Sequence, residues 1–340
     1  MPPFRPQTAL ATHDVANQPP PFEALAEAVK HAGGGDHMAR LSAFGARCGA
    51  AETIEWSAQA NRYTPQLRSF DRYGHRLDEV EFHPAYHSLM ALGLEGGVSA
   101  AAWRVKQGGH VLHAALLFLM TQADAGVCCP MSMTYAVVPA LRRQPDLAAE
   151  WTPRVTTEAY DARFIPAADK RAATMGMAMT EKQGGSDVRA NTTRAEHVAG
   201  DEYRLVGHKW FCSAPMCDAF LTLAQTDAGL TCFLAPRWRP DRSRNAIHIM
   251  RLKDKLGDRS NASSEIEYHG AYARRVGEEG RGVRTIIDMV QHTRLDCIVG
   301  SAGRMPIALS QAIWHAAHRS VFQKRLIDQP AMTGGLADLP

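Results

Sequence analysis

Two short segments of this chain bring together residue types able to hold a flat, polar ligand. The first is Met177-Ala178-Met179-Thr180-Glu181-Lys182-Gln183-Gly184-Gly185-Ser186-Asp187-Val188. An apolar strand end runs into a polar turn with adjacent glycines and a serine. Such a loop can set several backbone N–H groups and hydroxyls against one anionic or polar group. The same text also reads as ordinary turn chemistry between two strands. The second segment is Gly207-His208-Lys209-Trp210-Phe211-Cys212-Ser213. Its aromatic shelf and closing hydroxyl suit a flat heteroaromatic ring, and a core strand with a satisfied serine is the alternative.

Other candidates carry less. His83 and His87 have the i, i+4 spacing of a helical metal pair, but Pro84 lies between them and no third ligand is near. Core or surface histidines are the better reading there, and equally for His315 and His318. Basic residues gather at Arg237, Arg239, Arg242, Arg244, Arg251, Lys253, Lys255 and Arg259, where a polyanion could dock. Asp241, Asp254 and Asp258 dilute the cluster, which favours a solvated face. The net charge of +3 neither demands nor excludes a nucleic-acid partner. The seven cysteines are odd in number and lack metal or redox spacing, which points to reduced thiols in a cytoplasmic protein.

The elements that must position these segments emerge from pattern. With 340 residues, 45% hydrophobic and 21% charged, the chain has the composition of a globular protein with a sizeable core. Residues 1–20 are rich in proline and polar side chains, lack a signal-peptide core, and are expected to be flexible. No run has the length of a membrane span. Residues 21–173 read as helices. Phe22 to Val29 has helical spacing stopped by Gly33-Gly34-Gly35, and Val111 to Ala123 reads as a buried helix. Pro130 and Pro139 punctuate the stretch after it. Over 174–276 the period shortens to that of strands, with turns at Ala199-Gly200-Asp201 and Asp227-Ala228-Gly229. Helical text returns over 277–330, where Pro306 should kink or break it. The tail 331–340, with adjacent glycines and a final proline, is poor helix material. The prediction is an α+β multidomain chain: an N-terminal helical domain, a middle antiparallel β-barrel or sandwich, and an incomplete C-terminal helical bundle.

Taken together, the two segments are more specific than either alone. Met-x-Met-Thr-Glu-x-x-x-Gly-Ser-Asp followed by Gly-x-Lys and aromatics resembles the acyl-CoA dehydrogenase flavoprotein family. Asn191-Thr192-Thr193-Arg194-Ala195, Arg251 to Gly257 and Arg259 to Ser263 look like its bacterial alkylation-response branch. The resemblance implies FAD held between the β domain and the C-terminal helices. It implies that Met177, Ala178, Met179, Thr180, Glu181, Lys182, Gln183, Gly184, Gly185 and Ser186 line the flavin, with Thr180 toward the pyrimidine side and Ser186 at the pyrophosphate. Phe211 would lie against the isoalloxazine and Ser213 near its N5, with Cys212 between them. In His318-Arg319-Ser320-Val321-Phe322-Gln323, Arg319 and Phe322 would meet the FAD of a neighbouring subunit. The family usually has glycine at the position of Gln323.

The activity implied is α,β-dehydrogenation of an acyl-CoA thioester by a homotetramer, with a role in the alkylation-damage response. A DNA-associated protective flavoprotein with vestigial activity, or an inactive fragment, is the alternative. The family's base is a glutamate that usually lies beyond residue 340. In one branch it immediately precedes a helix arginine that matches Arg294, and that position is Thr293 here. Asp296 and Asp288 lie close by and read as solvated helix residues. The catalytic base is therefore left unassigned. Family likeness is expected to stop near Pro330, which predicts weak FAD retention and poor solubility.

Overall fold

The computed structural model describes residues 22–338; the expected flexible stretch 1–20 lies outside the described residues. Helices α1 (Phe22–His31), α2 (Met38–Cys48) and α3 (Ala51–Arg62) open the chain. Sequence pattern predicts helices throughout this region, but strands β1 (Gln66–Phe70) and β2 (Arg76–Glu81) form an antiparallel hairpin. The Asp71 carboxylate holds its turn by accepting from the backbone N–H groups of Tyr73 and His75. This short-range device leaves no apolar stripe to read.

Helices α4 (Pro84–Gly96), α5 (Ala101–Arg104), α6 (Gly109–Ala123), α7 (Ala125–Leu141) and α8 (Pro145–Val155) complete the N-terminal domain. The strongly apolar α6 is buried, as its composition predicts. Asp124 separates α6 from α7 and caps the latter, its Oδ1 accepting from Val127 N at 3.0 Å. Pro130 and Pro139 do not punctuate the chain; both sit inside α7. A helical proline orphans the carbonyl four residues back. For Pro139 that is Tyr135, whose carbonyl accepts instead from Trp103 Nε1 at 3.0 Å. Helix α7 contributes buried residues to both hydrophobic cores, Val127 and Met131 to the helical one and Tyr135 to Leu141 to the one it shares with the sheet.

The middle domain is built from β3 (Met175–Ala178), β4 (Arg194–Ala199), β5 (Glu202–Ser213), β6 (Ala219–Thr226), β7 (Gly229–Pro236), β8 (Ile247–Leu252) and β9 (Ser263–Arg275). The pairings β4–β5, β5–β9, β9–β7, β7–β6 and β6–β4 close a ring. Closure leaves no free edge in that circuit. Strand β8 adds to β9, and β3 adds to β6 in parallel, a departure from the expected all-antiparallel pairing.

Helix α9 (Gly282–His318) runs unbroken for 37 residues and packs on α6 and α7. Pro306 lies within it, against the expected break. The two-stranded β10 (Ser320–Val321) and β11 (Lys324–Arg325) follow, then α10 (Pro330–Ala337). The tail expected to resist helix formation therefore forms one. Pro330 stands in its first turn, where its missing N–H is no loss, and Thr333 N bonds back to Gln329 O at 2.9 Å. Among the described residues, no helix is long and apolar enough to cross a membrane.

Candidate functional site

The glycine-rich loop after β3 is built around a buried ion pair. Glu181 points inward rather than toward a ligand, and both it and Lys209 are fully buried. Its carboxylate accepts from Lys209 Nζ at 2.8 Å. It also accepts from Thr192 N at 2.6 Å, Thr193 N at 3.1 Å and both threonine hydroxyls. Burial works to raise the Glu181 pKa, but Lys209 and the threonine donors outweigh it and hold the carboxyl down at about 2. Lys209 Nζ also donates to Leu223 O at 2.7 Å. The pair locks the first motif segment onto the second, and Trp210 N closes the lock by donating to Thr180 O at 2.7 Å. Asn191 Nδ2 holds Met179 O at 2.9 Å.

A tight turn does form part of this loop. Gly184 N bonds to Glu181 O at 3.0 Å, and Gly184 takes φ 116°, a conformation that glycine adopts without strain. At Gly207, φ is 145° and a Cβ would stand 2.6 Å from the Thr193 backbone, so the strand can approach the clamp only as glycine.

Beside this lock lies a cavity of about 510 Å³ between the barrel and the helices. On the barrel side it meets Met177, Met179, Thr180, Phe211 and Ser213. On the helical side it meets α6, α7 and α9, through Thr121, Ser132, Thr293, Asp296 and Ser301 among others. Phe211 remains 49% exposed although large and apolar. Ser213 Oγ lies 3.0 Å from Ser263 Oγ. At the rim, Arg304 Nη2 donates to Asp258 Oδ1 at 2.7 Å, tying α9 to the loop before β9.

The predicted site residues thus divide. Met177, Met179, Thr180, Phe211 and Ser213 come together on the cavity wall. Glu181 is turned away, and Cys212 is buried in the barrel core with its thiol pushed up to about 12 by burial. Ala178 is buried in the same core. Lys182, Gln183, Gly184, Gly185 and Ser186 do not line the cavity; the loop passes along its outside, with Lys182 N bonded to His208 Nε2 at 3.1 Å. Arg319 and Phe322 lie apart from it, Arg319 at the end of α9 and Phe322 in the β10–β11 hairpin. Phe322 and Gln323 form the hairpin turn with φ 49° and 66°. These positive values are the reason glycine suits the position of Gln323.

Asp296 is not the solvated residue expected. It is buried, with Oδ1 at 2.9 Å from His113 Nε2 and Oδ2 accepting from Ser132 Oγ at 2.6 Å. Asp288 instead pairs with Arg143 at 2.8 Å. Thr293 faces the cavity with its hydroxyl donated to Val290 O at 3.0 Å. The histidines of the weak metal motif are engaged elsewhere. His83 Nδ1 accepts from Ala85 N at 3.2 Å, and His87 bonds Tyr160 Oη at 2.8 Å. The basic run is largely neutralised. Arg242 pairs with Asp169, Arg244 with Glu79, and Arg251 and Lys253 share Glu265, while Arg237 is buried.

Residues 8–162 match the family described as adaptive response protein AidB N-terminal domain. Residues 176–271 match the acyl-CoA dehydrogenase middle domain, and 280–340 its C-terminal domain. The chain belongs to the acyl-CoA dehydrogenase family. It is 46% identical over 333 residues to the putative acyl-CoA dehydrogenase AidB of Escherichia coli K12, covering 94% of this chain and 62% of that protein. Acyl-CoA dehydrogenase family member 11 of Caenorhabditis elegans is 34% identical, over 88% of this chain and 50% of the relative. Among solved structures, C. elegans ACDH-11 in complex with C11-CoA superposes with a TM-score of 0.84 at 30% identity, covering 96% of this chain and 57% of that one. The chain therefore spans about half to two thirds of the length of these relatives. The C-terminal match reaches residue 340, so the likeness does not stop near Pro330. The members of this family are flavoproteins, and the expected three-part architecture is the one observed.

Proposed function

We propose that this chain binds FAD and serves an acyl-CoA dehydrogenase that removes hydrogen from the α and β carbons of an acyl thioester. The observation that carries the reading is the cavity between barrel and helices, with a half-exposed phenyl ring and hydroxyls on its barrel wall. Its volume of about 510 Å³ falls in the ordinary range for small-ligand sites. A bare aromatic face beside Met177 and Met179 suits a flat tricyclic ring, and stacking such a ring recovers the apolar area that Phe211 leaves to water. Thr180 Oγ1 has no hydrogen-bond partner among the described residues and is free for the ring's polar edge. These features fit FAD. The binding of C11-CoA by the C. elegans relative supports a CoA thioester as the second ligand.

When bound, FAD would supply the hydride acceptor. The residues of this chain orient and shield. The Glu181–Lys209 lock fixes the backbone of Met179 and Thr180 relative to Phe211. Ser213, steadied by Ser263, offers a hydroxyl on the same wall as Phe211. Helices α7 and α9 pack against the barrel and α6 packs on both, so helices wall the acyl side of the cavity. Asp296 is held by His113 and Ser132, and Thr293 is no base, so the α-proton acceptor is left unassigned. We infer further that Arg319 and Phe322 meet the FAD of a neighbouring subunit in a tetramer, since Phe322 stands 93% exposed at a hairpin tip.

The test is anaerobic titration of FAD-reconstituted protein with acyl-CoA thioesters. Bleaching of the oxidised flavin band is the expected result. A chain that holds FAD but is bleached by no acyl-CoA would sink the dehydrogenase reading, and one that takes up no FAD would sink the cofactor assignment.

A further inference from the structure

The hydroxyls on the helical wall of the cavity share one hydrogen-bond polarity. Four hydroxyls face the cavity from this wall, and each spends its only proton inside the protein. Thr121 Oγ1 donates to Leu117 O at 2.8 Å, and Ser132 Oγ donates to Asp296 Oδ2 at 2.6 Å. Thr293 Oγ1 donates to Val290 O at 3.0 Å, and Ser301 Oγ to Cys297 O at 2.7 Å. A hydroxyl with its proton spent presents only lone pairs.

Asp296 strengthens the same polarity. His113 Nδ1 lies 2.6 Å from the Val98 carbonyl, which can only accept, so Nδ1 carries a proton. The Asp296–His113 contact then shares a single further proton, which fixes the carboxyl group in orientation. Tyr135 stacks on His113 with ring centroids 3.6 Å apart and holds the imidazole plane. A carboxylate has about four lone-pair sites, and these partners occupy one on each oxygen. The rest of the group adjoins the cavity and is almost dry, with its side chain 2% exposed. Each oxygen keeps a lone pair that can accept from a ligand that brings a donor.

We propose that the wall formed by Thr121, Ser132 and Asp296 selects an acyl group that carries a hydrogen-bond donor, a hydroxyl or amino group, over a plain alkyl chain. The inference rests on the acyl-thioester reading of the cavity and gives it a substrate class. An alkyl tail would lie against lone pairs that water can no longer satisfy. A donor-bearing tail would return a proton to that wall.

The test compares dissociation constants by calorimetry on the FAD-reconstituted chain. The ligands are ω-hydroxyacyl-CoA thioesters and the alkyl-CoA thioesters with the same number of heavy atoms, from about five to nine in the acyl tail, a span that suits the size of an ordinary small-ligand cavity. At one or more lengths the hydroxyacyl ligand should bind about tenfold more tightly, the upper end of the net effect of one hydrogen bond. Asp296→Asn should reduce that preference to within about twofold. Should D296N fail to fold, Thr121→Val takes its place, because the Thr121 hydroxyl serves only its own helix and Cys128. Equal or weaker hydroxyacyl binding at every length overturns the proposal and leaves the acyl-thioester reading standing. A preference that survives whichever of the two substitutions folds also overturns it. Failure of every thioester to bind overturns the acyl-thioester reading and this inference with it.

Discussion

Replacing Glu181 by glutamine tests whether a buried ion pair, rather than the turn itself, holds the site loop in place. The substitution preserves shape and leaves Lys209 fully buried without its carboxylate, with only neutral acceptors, the Leu223 carbonyl and the new amide oxygen. Two routes give the magnitude. The Glu181 carboxyl titrates at about 2 against an ordinary 4.5. That difference is worth about 3 kcal/mol at 1.36 kcal/mol per unit. Removing one partner of a buried pair independently costs about 3–5 kcal/mol. Urea unfolding at pH 7 should therefore place E181Q about 3–5 kcal/mol below the parent.

The pH dependence carries the sign. A depressed carboxyl pKa stabilises above the unfolded value and is lost as pH falls through the folded one. The gap between parent and E181Q should be constant above about pH 5, fall to roughly half near pH 3, and close toward pH 2. A gap below about 1 kcal/mol at pH 7, or one that does not narrow between about pH 5 and pH 3, would refute the reasoning. Pairing E181Q with Lys209→Met should recover part of the loss, since the lone buried charge is then removed.

Three further substitutions probe separate steps. Phe211→Ala should weaken FAD binding about tenfold or more by equilibrium dialysis, with little change in melting because the ring is half exposed in the free chain; unchanged FAD affinity would remove the ring from the site. Trp103→Phe deletes the indole donor supplied to the Tyr135 carbonyl that Pro139 orphans. It should cost about 1–3 kcal/mol in urea unfolding, and a neutral result would mean that the carbonyl finds another donor. Gly207→Ala forces a Cβ to 2.6 Å from the Thr193 backbone at φ 145°. It should destabilise by roughly 1–3 kcal/mol and loosen the Glu181 clamp, and a variant as stable as the parent would show that the strand can shift away.

The part of this molecule legible in sequence is the part governed by neighbours in the chain. The alternation of Met175 and Met177, the turns at Gly200 and Gly229, and the apolar stretch from Val111 to Ala123 each report a local period, and each is the element observed. Family motifs extend that reach and bring Thr180, Phe211 and Ser213 to one wall. What stays hidden depends on partners far along the chain. His113 and Asp296 are 183 positions apart, and nothing in the text of α9 distinguishes Asp296 from Asp288, eight residues earlier. The first faces α6 and α7 and is dry, whereas the second meets a partly exposed arginine. The same holds for the prolines of α7. Their presence argues for a break only while the orphaned carbonyl lacks a donor, and the donor for Tyr135 is an indole 32 residues upstream. Glu181 shows the reverse case. Its motif places it among ligand-facing residues, yet a glutamate flanked by a strand and two threonine donors is worth more to the fold as an anchor. Residues that touch a ligand must be accessible, so their types are conspicuous. Residues that aim them act through burial, which only the packed chain displays.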